Sequence, residues 1–326
     1  MPSSPMVDVG IPTLGVSPYL REAIESVLAQ TLTSWRLVIS ENGPGAEAVR
    51  HVLEPYIRDP RIEHVTTGET VSQGANHTRA LAGRAPYVAL LHDDDRWRPH
   101  FLERSVDFLE ARPGCGLVFC GHVLIDEQGA PTGRSRPRLH EGVHPPAKVL
   151  PLLYDENFIA PPCVVMRRSA YEAVGAVFKE VFFSDHEMWL RLAAHFDVGC
   201  RHAWDAEYRL HTSQISSTRR LELAERQFEV IEATRDLPIP PRVRRRTLAK
   251  AHLRCALDDI ELSHRRKAIS HLADAVRADP LSLVRLSHGG RLLIALGALL
   301  AGPPGQRALT RARLRRYARR GSEPVS

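Results

Sequence analysis

Three consecutive carboxylates, Asp93, Asp94 and Asp95, end the apolar run Tyr87-Val-Ala-Leu-Leu-His92 and precede Arg96-Trp97. Adjacent acids repel, and each makes the next harder to ionise. A hard divalent cation relieves that repulsion. Mg2+ or Mn2+ takes oxygen ligands and commonly keeps one or two carboxylates together with substrate phosphates in its shell. The chemistry implied is metal-assisted transfer from a diphosphate-bearing donor. A plainer reading explains part of the triplet. Arg98-Pro99-His100-Phe101 looks like a helix start, and an acid ahead of it suits the cap and the dipole. That accounts for one or two of the three acids.

A second acidic group, Asp185 and Glu187, stands ahead of the helical stripe Met188, Leu190, Leu192 and Ala193. Ser184 or Asp185 would serve as a cap there. The alternative is a general base that accepts the proton of an attacking hydroxyl. One acid cluster for a metal and a separate acid for the acceptor is the division that phosphate-leaving chemistry needs. Downstream, Tyr208-Arg209-Leu210-His211 supplies a cation that neutralises a diphosphate. It also supplies an imidazole that ligates a metal or donates to a phosphate oxygen.

Elements that would position these residues follow from periodicity. Strands are expected at 7–11, 36–40, 62–65 and 87–91, with helices at 19–30, 47–58 and 73–83 between them. This βαβαβαβ order predicts an α/β fold with a mostly parallel sheet flanked by helices. Its loops at Pro12, Glu41 and His92 would share the edge beyond the carboxyl ends of the strands, where ligands bind. Residues 117–120 and 163–168 read as further strands, as do 197–200 and 206–211. A helix starts near Asp185. Residues 129–146, rich in Pro, Gly and Arg, read as a loop, either a mobile lid or a surface insertion. Past about 217 only helices are expected, at 221–235, 242–263, 265–278 and 281–300. The expected domains are 1–217, an α/β catalytic domain, and 218–326, a helical region ending in a basic tail.

The 326 residues are 43% hydrophobic and 25% charged, which excludes a mainly disordered chain. The net charge of +6, from 44 basic and 38 acidic residues, is concentrated late: residues 280–322 hold nine arginines and no acid. Arg307, Arg311, Arg315 and Arg319 recur every four residues and would form a basic helical face. Two readings stay open for this tail and the apolar stretch before it. One is contact with an anionic membrane surface, which would suit a lipid-linked acceptor. The other is a solvated basic helix packed on the catalytic domain. Nucleic-acid binding is disfavoured, since Tyr317 is the tail's one aromatic residue. The start has no secretory pattern, and the longest apolar run, 292–301, falls short of the about 20 residues a span needs. Five cysteines without paired spacing read as reduced thiols. The expected location is therefore cytoplasmic, and on the membrane reading of the tail it is peripheral at the inner face of the cell membrane. Cys115, Cys120 and His122 lack a second ligand pair for zinc, and Cys120 is expected in the core.

Four motifs, in order, resemble those of inverting nucleotide-sugar glycosyltransferases of the GT-A fold, the group often called family 2. They are Val9-Gly10-Ile11-Pro12-Thr13; Val38-Ile39-Ser40-Glu41-Asn42-Gly43; Tyr87 through Trp97 with the acidic triplet; and Ser184-Asp185-His186-Glu187-Met188-Trp189-Leu190-Arg191 followed by Tyr208-Arg209-Leu210-His211. The likeness spans roughly residues 6–217, and the order of the motifs makes the set specific. It implies a GT-A, Rossmann-like sheet with an all-helical C-terminal region. It further implies a metal-dependent, inverting sugar transfer from a nucleotide-diphosphate donor to an acceptor hydroxyl, in polysaccharide or glycoconjugate biosynthesis.

By that resemblance Pro12 and Thr13 lie under the nucleoside, and Glu41 meets the base. Asp93, Asp94 and Asp95 form the DxD-type motif that holds Mn2+ or Mg2+ and the donor diphosphate. Asn76 and Arg79 touch the donor, Asp185 is the catalytic base, and Arg209 and His211 stand near the diphosphate or the metal. Three departures are visible: Glu41-Asn42 replaces the more usual pair of aspartates, His92 stands where many members have their first Asp, and Ser184 replaces a common acid. Two other functions compete. A nucleotidyltransferase would carry Lys or Arg in the loop after the first strand, and Pro12 to Ser17 has neither. A non-catalytic carbohydrate or membrane-surface binding protein would keep the sheet without the chemistry.

Overall fold

Runs that are apolar at nearly every position make strands buried on both faces, and such strands belong in the middle of a covered sheet. Strand β1 (Val7–Thr13) is buried along its whole length. The computed structural model describes residues 4–43, 45–66, 68–212, 223–283 and Gly297. It divides into two units. The first runs to Leu150 and takes in Asn157–Leu210; the second takes in Pro151–Glu156 and continues from His211.

In the first unit β1 is followed by α1 (Leu20–Leu28), β2 (Trp35–Glu41), α2 (Ala46–Leu53), β3 (Ile62–Thr66), α3 (Gln73–Ala80) and β4 (Tyr87–Leu90). Then come β5 (Arg96–Trp97), α4 (Phe101–Glu110), β6 (Cys115–Ile125), β7 (Pro131–Ser135) and β8 (Gly142–His144). The helix α5 (Pro146–Asp155), which belongs to the second unit from Pro151 on, β9 (Val164–Arg167), α6 (Arg168–Ala173), α7 (Ser184–His195) and β10 (Asp197–Arg209) complete the order. The described strands form one sheet, ordered β3-β2-β1-β4-β9-β6-β10-β5, with β7 on β6 and β8 on β10. The four N-terminal strands are mutually parallel. Strand β9 runs antiparallel between β4 and β6, and β10 is parallel to β6.

The helices repeat their apolar positions every three or four residues, so each buries one stripe. On α1 the stripe is Leu20, Ala23, Ile24 and Val27. It joins Val9, Ile11, Leu37, Ile39 and Ala89 of the sheet in one core. Helix α3 lies very close to β1. A Cβ at Gly10 would sit 2.7 Å from the Ala80 carbonyl oxygen, so only glycine permits this approach. Cys120 is a core residue at 4% exposure.

Two expectations are corrected. The stretch 129–146, read as a lid or insertion, contains β7 and β8, both hydrogen-bonded into the sheet. Its turn is held by Asp126, whose Oδ1 accepts from the amides of Gln128 and Ala130 at 3.0 and 2.8 Å. The two short strands at 197–200 and 206–211 are one strand, β10, with an irregularity between Arg201 and Ala206.

At the amino end of β1 the wholly buried Asp8 accepts from Arg168 Nη2 at 2.6 Å and from the Ala85 amide at 2.9 Å. Arg168 also donates to the carbonyls of Ala85 and Leu81. Removing one partner of a buried pair leaves the other charged and dry. Asp8→Ala is therefore expected to cost about 3–5 kcal/mol, read as a lower urea midpoint with an unchanged slope.

The second unit contains α8 (Leu223–Ala233), α9 (Pro241–Glu261) and α10 (Arg265–Ala278). Leu253, Ala256 and Ile260 of α9 pack against Ala268, Leu272 and Ala275 of α10. Asp155 binds Arg246 and Lys250 of α9 at 3.0 and 3.3 Å. The helix expected at 281–300 lies almost entirely outside the described residues, and the arginine tail wholly so. No described helix is long and apolar enough to cross a membrane.

Candidate active site

Strand register lines up the carboxyl ends of the parallel strands. Thr13 pairs with Glu41, and Glu41 with Thr66. The chain leaves β4 with the Leu91 amide still bonded to Gly10, then turns with the Asp95 amide on the His92 carbonyl. This turn carries the acidic triplet over the sheet edge. Strand β5 follows at once and pairs with β10, which brings Arg209 to the triplet.

The three acids have different surroundings. The Asp93 carboxylate lies 2.5 Å from Thr13 Oγ1, which also lies 2.8 Å from the Gly15 carbonyl. One hydroxyl proton serves only one of these acceptors at a time. Asp95 is buried at 1% exposure and accepts from the Arg209 amide at 2.9 Å through Oδ1. Its Oδ2 is buried with no hydrogen-bond partner, as is Nε2 of His92. His92, Asp94 and Asp95 each offer one ligand atom, and the three atoms lie within 4.8 Å of one another.

Burial, and then the neighbouring Asp94 charge, push the Asp93 carboxyl up to about 7, against the Thr13 hydrogen bond. The same two causes hold Asp95 well above the usual carboxylate range, opposed by the Arg209 amide. These groups are short of positive charge. An unpaired buried carboxylate oxygen and an unpaired imidazole nitrogen beside the Asp94 carboxylate fit a divalent cation with mixed oxygen and nitrogen donors. The set that converges is His92, Asp94 and Asp95. Asp93 is turned to Thr13, and His211 is the first residue of the second unit.

Arg209, expected at the diphosphate, is 0% exposed. Its Nε donates to the Asp94 carbonyl at 2.9 Å, Nη1 to the Asp126 carbonyl at 3.0 Å, and Nη2 to Glu22 at 2.7 Å. Its guanidinium also lies 4.2 Å from the Tyr19 ring centre. It braces the triplet turn, the β6–β7 turn and α1, and its fork is directed into the protein. A lysine cannot bond these separate acceptors at once. Arg209→Lys is expected to cost about 1–3 kcal/mol and to lower the melting temperature.

The expected donor residues gather at the same edge. Pro12 is buried opposite Ser40. Glu41 is wholly buried, and its carboxylate accepts from Thr66 Oγ1 at 2.5 Å and the Gly45 amide at 3.2 Å. These bonds tie the loop after β2 to the end of β3 at the edge where the contact of Glu41 with a base is expected. Asn76 Oδ1 accepts from Ser40 Oγ at 2.7 Å and from Arg79 at 2.9 Å. Arg79 donates further to Ser40 Oγ and to the Glu41 carbonyl. Asn42 pairs with both the amide and the carbonyl of Val71 and holds the loop before α3.

Helix α7 separates its two acids. Glu187 is buried and bonded by Arg191 at 2.8 Å and Lys179 at 3.3 Å. Asp185 is half-buried in the first turn, and its carboxylate has no hydrogen bond or ion pair among the described residues. Ser184 Oγ lies 3.3 Å from Nδ1 of His77, and the His77 ring stands 5.6 Å from that of His92. This relay ties the start of α7 to the triplet. Burial, reinforced by His92, holds His77 well below the usual histidine value, so it is a neutral spacer. Sequence reasoning missed His77 and gave His92 no role. The signal for His92 was its place beside the triplet; His77 carried none, because its partners are distant in the chain.

The model of a family described as Glycosyl transferase family 2 matches residues 8–175. The amylovoran biosynthesis glycosyltransferase AmsE of Erwinia amylovora is 23% identical over 179 residues, 53% of this chain and 63% of AmsE. Chondroitin synthase of Escherichia coli is 26% identical over 125 residues, 38% of this chain and 18% of the synthase. The chain thus spans less than two thirds of each of these two relatives. Among solved structures, residues 1–349 of S. aureus TarS in complex with UDP-GlcNAc superpose with a TM-score of 0.65 at 12% identity, covering 97% of this chain and 92% of that one. The Pyrobaculum calidifontis mannosyltransferase PcManGT, in complex with GDP-Man and Mn2+, gives 0.56 at 18% identity, covering 95% and 84%. At such identities the structural likeness is one of fold.

Proposed function

This chain belongs to glycosyl transferase family 2 and has the GT-A fold, and from that premise we propose that it moves a sugar from a nucleoside-diphosphate donor to an acceptor hydroxyl with inversion. The observation that carries the reading is the pair of partnerless buried atoms, Asp95 Oδ2 and His92 Nε2, within reach of the Asp94 carboxylate. His92, Asp94 and Asp95 would hold Mn2+ or Mg2+. The cation, when bound, stabilises negative charge on the leaving diphosphate.

The chain's own residues do the rest. Asp185 takes the proton of the acceptor hydroxyl. The hydroxyl oxygen bonds to the anomeric carbon from the face opposite the diphosphate, and the old carbon–oxygen pair leaves with the diphosphate. Pro12, Thr13 and Asp93 line the nucleoside side, over the Ser40–Asn76–Arg79 network. The neutral His77 and Ser184 hold α7 against the triplet loop, so the base and the metal ligands keep a constant spacing. The acceptor and the rest of this reading extend to the tail: nine arginines without an acid over 280–322 suit a peripheral contact with an anionic inner membrane surface and a lipid-linked acceptor.

The test is a panel of UDP-, dTDP-, GDP- and CDP-sugars with Mn2+, followed by release of the nucleoside diphosphate and the anomeric proton coupling of the product. One donor turned over with inversion is the expected result. Retention of configuration would remove Asp185 from its role, and no turnover or nucleotide binding in a folded protein would remove the enzyme reading. Co-sedimentation with phosphatidylglycerol vesicles checks the tail: binding should fall steeply with salt.

A further inference from the structure

The second unit holds a convergence of metal-ligating side chains of its own. His252 lies on α9, and His271 and Asp274 lie three residues apart on the facing side of α10. Residues at that spacing share one helix face. The Nδ1 atoms of His252 and His271 are 3.0 Å apart. One ligand atom from each of His252, His271 and Asp274 fits within 4.8 Å of the others. Metal–nitrogen bonds of about 2.0–2.1 Å at a tetrahedral centre set neighbouring ligands about 3.3 Å apart, so the two imidazoles already stand at ligand spacing.

The surroundings are arranged as for a ligated histidine. With Nδ1 of His271 turned to His252, its Nε2 faces Asp259 Oδ2 at 3.8 Å. Asp259 is itself oriented, since its Oδ1 meets His264 Nδ1 at 3.3 Å. A carboxylate hydrogen-bonded to the far nitrogen is the usual support of a metal-bound imidazole, and Asp259 stands just outside that distance. The Phe228 ring of α8 walls the pair off, 4.8 Å from the His252 ring and 6.5 Å from that of His271. The plain alternative is two neutral imidazoles sharing one proton. It leaves Asp274 with only an exposed ion pair to Arg277 at 2.7 Å, which is worth little.

We propose that His252, His271 and Asp274 form a site for a borderline divalent metal, suited to Zn2+, that clasps α9 to α10. Two imidazoles and one carboxylate match the donor preference of zinc rather than that of the hard cations. Water completes the coordination, and the bound ion stabilises the helical unit by linking two of its elements.

The test uses the full chain with Asp94→Asn and Asp95→Asn, which disable the first cluster, stripped with chelator and titrated calorimetrically with Zn2+ alone. About one equivalent should bind and raise the melting temperature. Adding His252→Ala and His271→Ala should abolish that equivalent. Asp259→Asn should weaken it about 10- to 100-fold. Asp274, 35% exposed at its side chain, gives a variant that does not disturb the core, and Asp274→Asn should also weaken zinc. The proposal is overturned if the Asp94/Asp95 double variant binds no zinc, or if the histidine and Asp274 variants, with unchanged circular dichroism, bind it as before. Neither result depends on whether the first unit transfers sugar.

Discussion

Asp185→Asn lowers turnover about 100- to 10,000-fold, the range a general base contributes, and leaves donor affinity within about twofold. The second half of that expectation comes from the surroundings of Asp185. Its carboxylate is half-buried and bonded to nothing among the described residues, so the isosteric amide removes a proton acceptor and no structural contact. Glu187 behaves in the opposite way. It is buried under Arg191 and Lys179, and Glu187→Gln should lower stability and affect rate only through misplacement of α7. Measuring kcat, KM and the melting temperature for both variants separates the two acids. If Glu187→Gln keeps its stability and loses turnover while Asp185→Asn stays active, the assignment of the base is reversed.

The second large effect concerns the metal. A matching nucleoside diphosphate with Mn2+, at about a hundred times its dissociation constant, should stabilise the protein by about 2.7 kcal/mol. Asp94→Asn with Asp95→Asn should remove the metal-dependent part of that shift, while the side-chain amide oxygen introduced by Asp95→Asn can still accept from the Arg209 backbone N–H. Asp93→Asn should keep most of it, because Asp93 faces Thr13 and lies outside the converging set of His92, Asp94 and Asp95. His92→Leu should weaken the metal response without the acids being touched. A thermal-shift series with and without Mn2+ reads all three. An Asp93→Asn variant that loses the response while His92→Leu retains it would move the ligand set by one residue.

Part of the site was legible because its signals are local. Helical and strand periods of 3.6 and 2 depend only on nearby residues, so β1 through β4 and the helices between them follow from the apolar spacing of Val7 to Leu91. Three adjacent acids at a strand end demand an explanation wherever that strand goes. The alternation of strand and helix also dictates that Thr13, Glu41 and the triplet share one edge.

What the chain could not reveal alone are the choices made by partners far apart in it. Pro131-Thr-Gly-Arg-Ser135 has no apolar alternation, and it is a strand because β6 offers it free backbone groups. Arg209 is expected near the diphosphate by type; its bonds to Glu22, Asp126 and the Asp94 carbonyl were not legible, because those acceptors come from three other segments. Glu41 is expected at the base by position, and its bonds to Thr66 and Gly45 are made only in the fold. Residue type and spacing determined which chemistry is proposed for this protein and the edge of the sheet where it would sit. Tertiary packing decided which member of each polar cluster is left without a protein partner, since pairing depends on burial and on neighbours that meet only in the folded state. The members unpaired among the described residues, Asp185, Asp95 Oδ2 and His92 Nε2, are the ones the proposed mechanism assigns to substrate and metal.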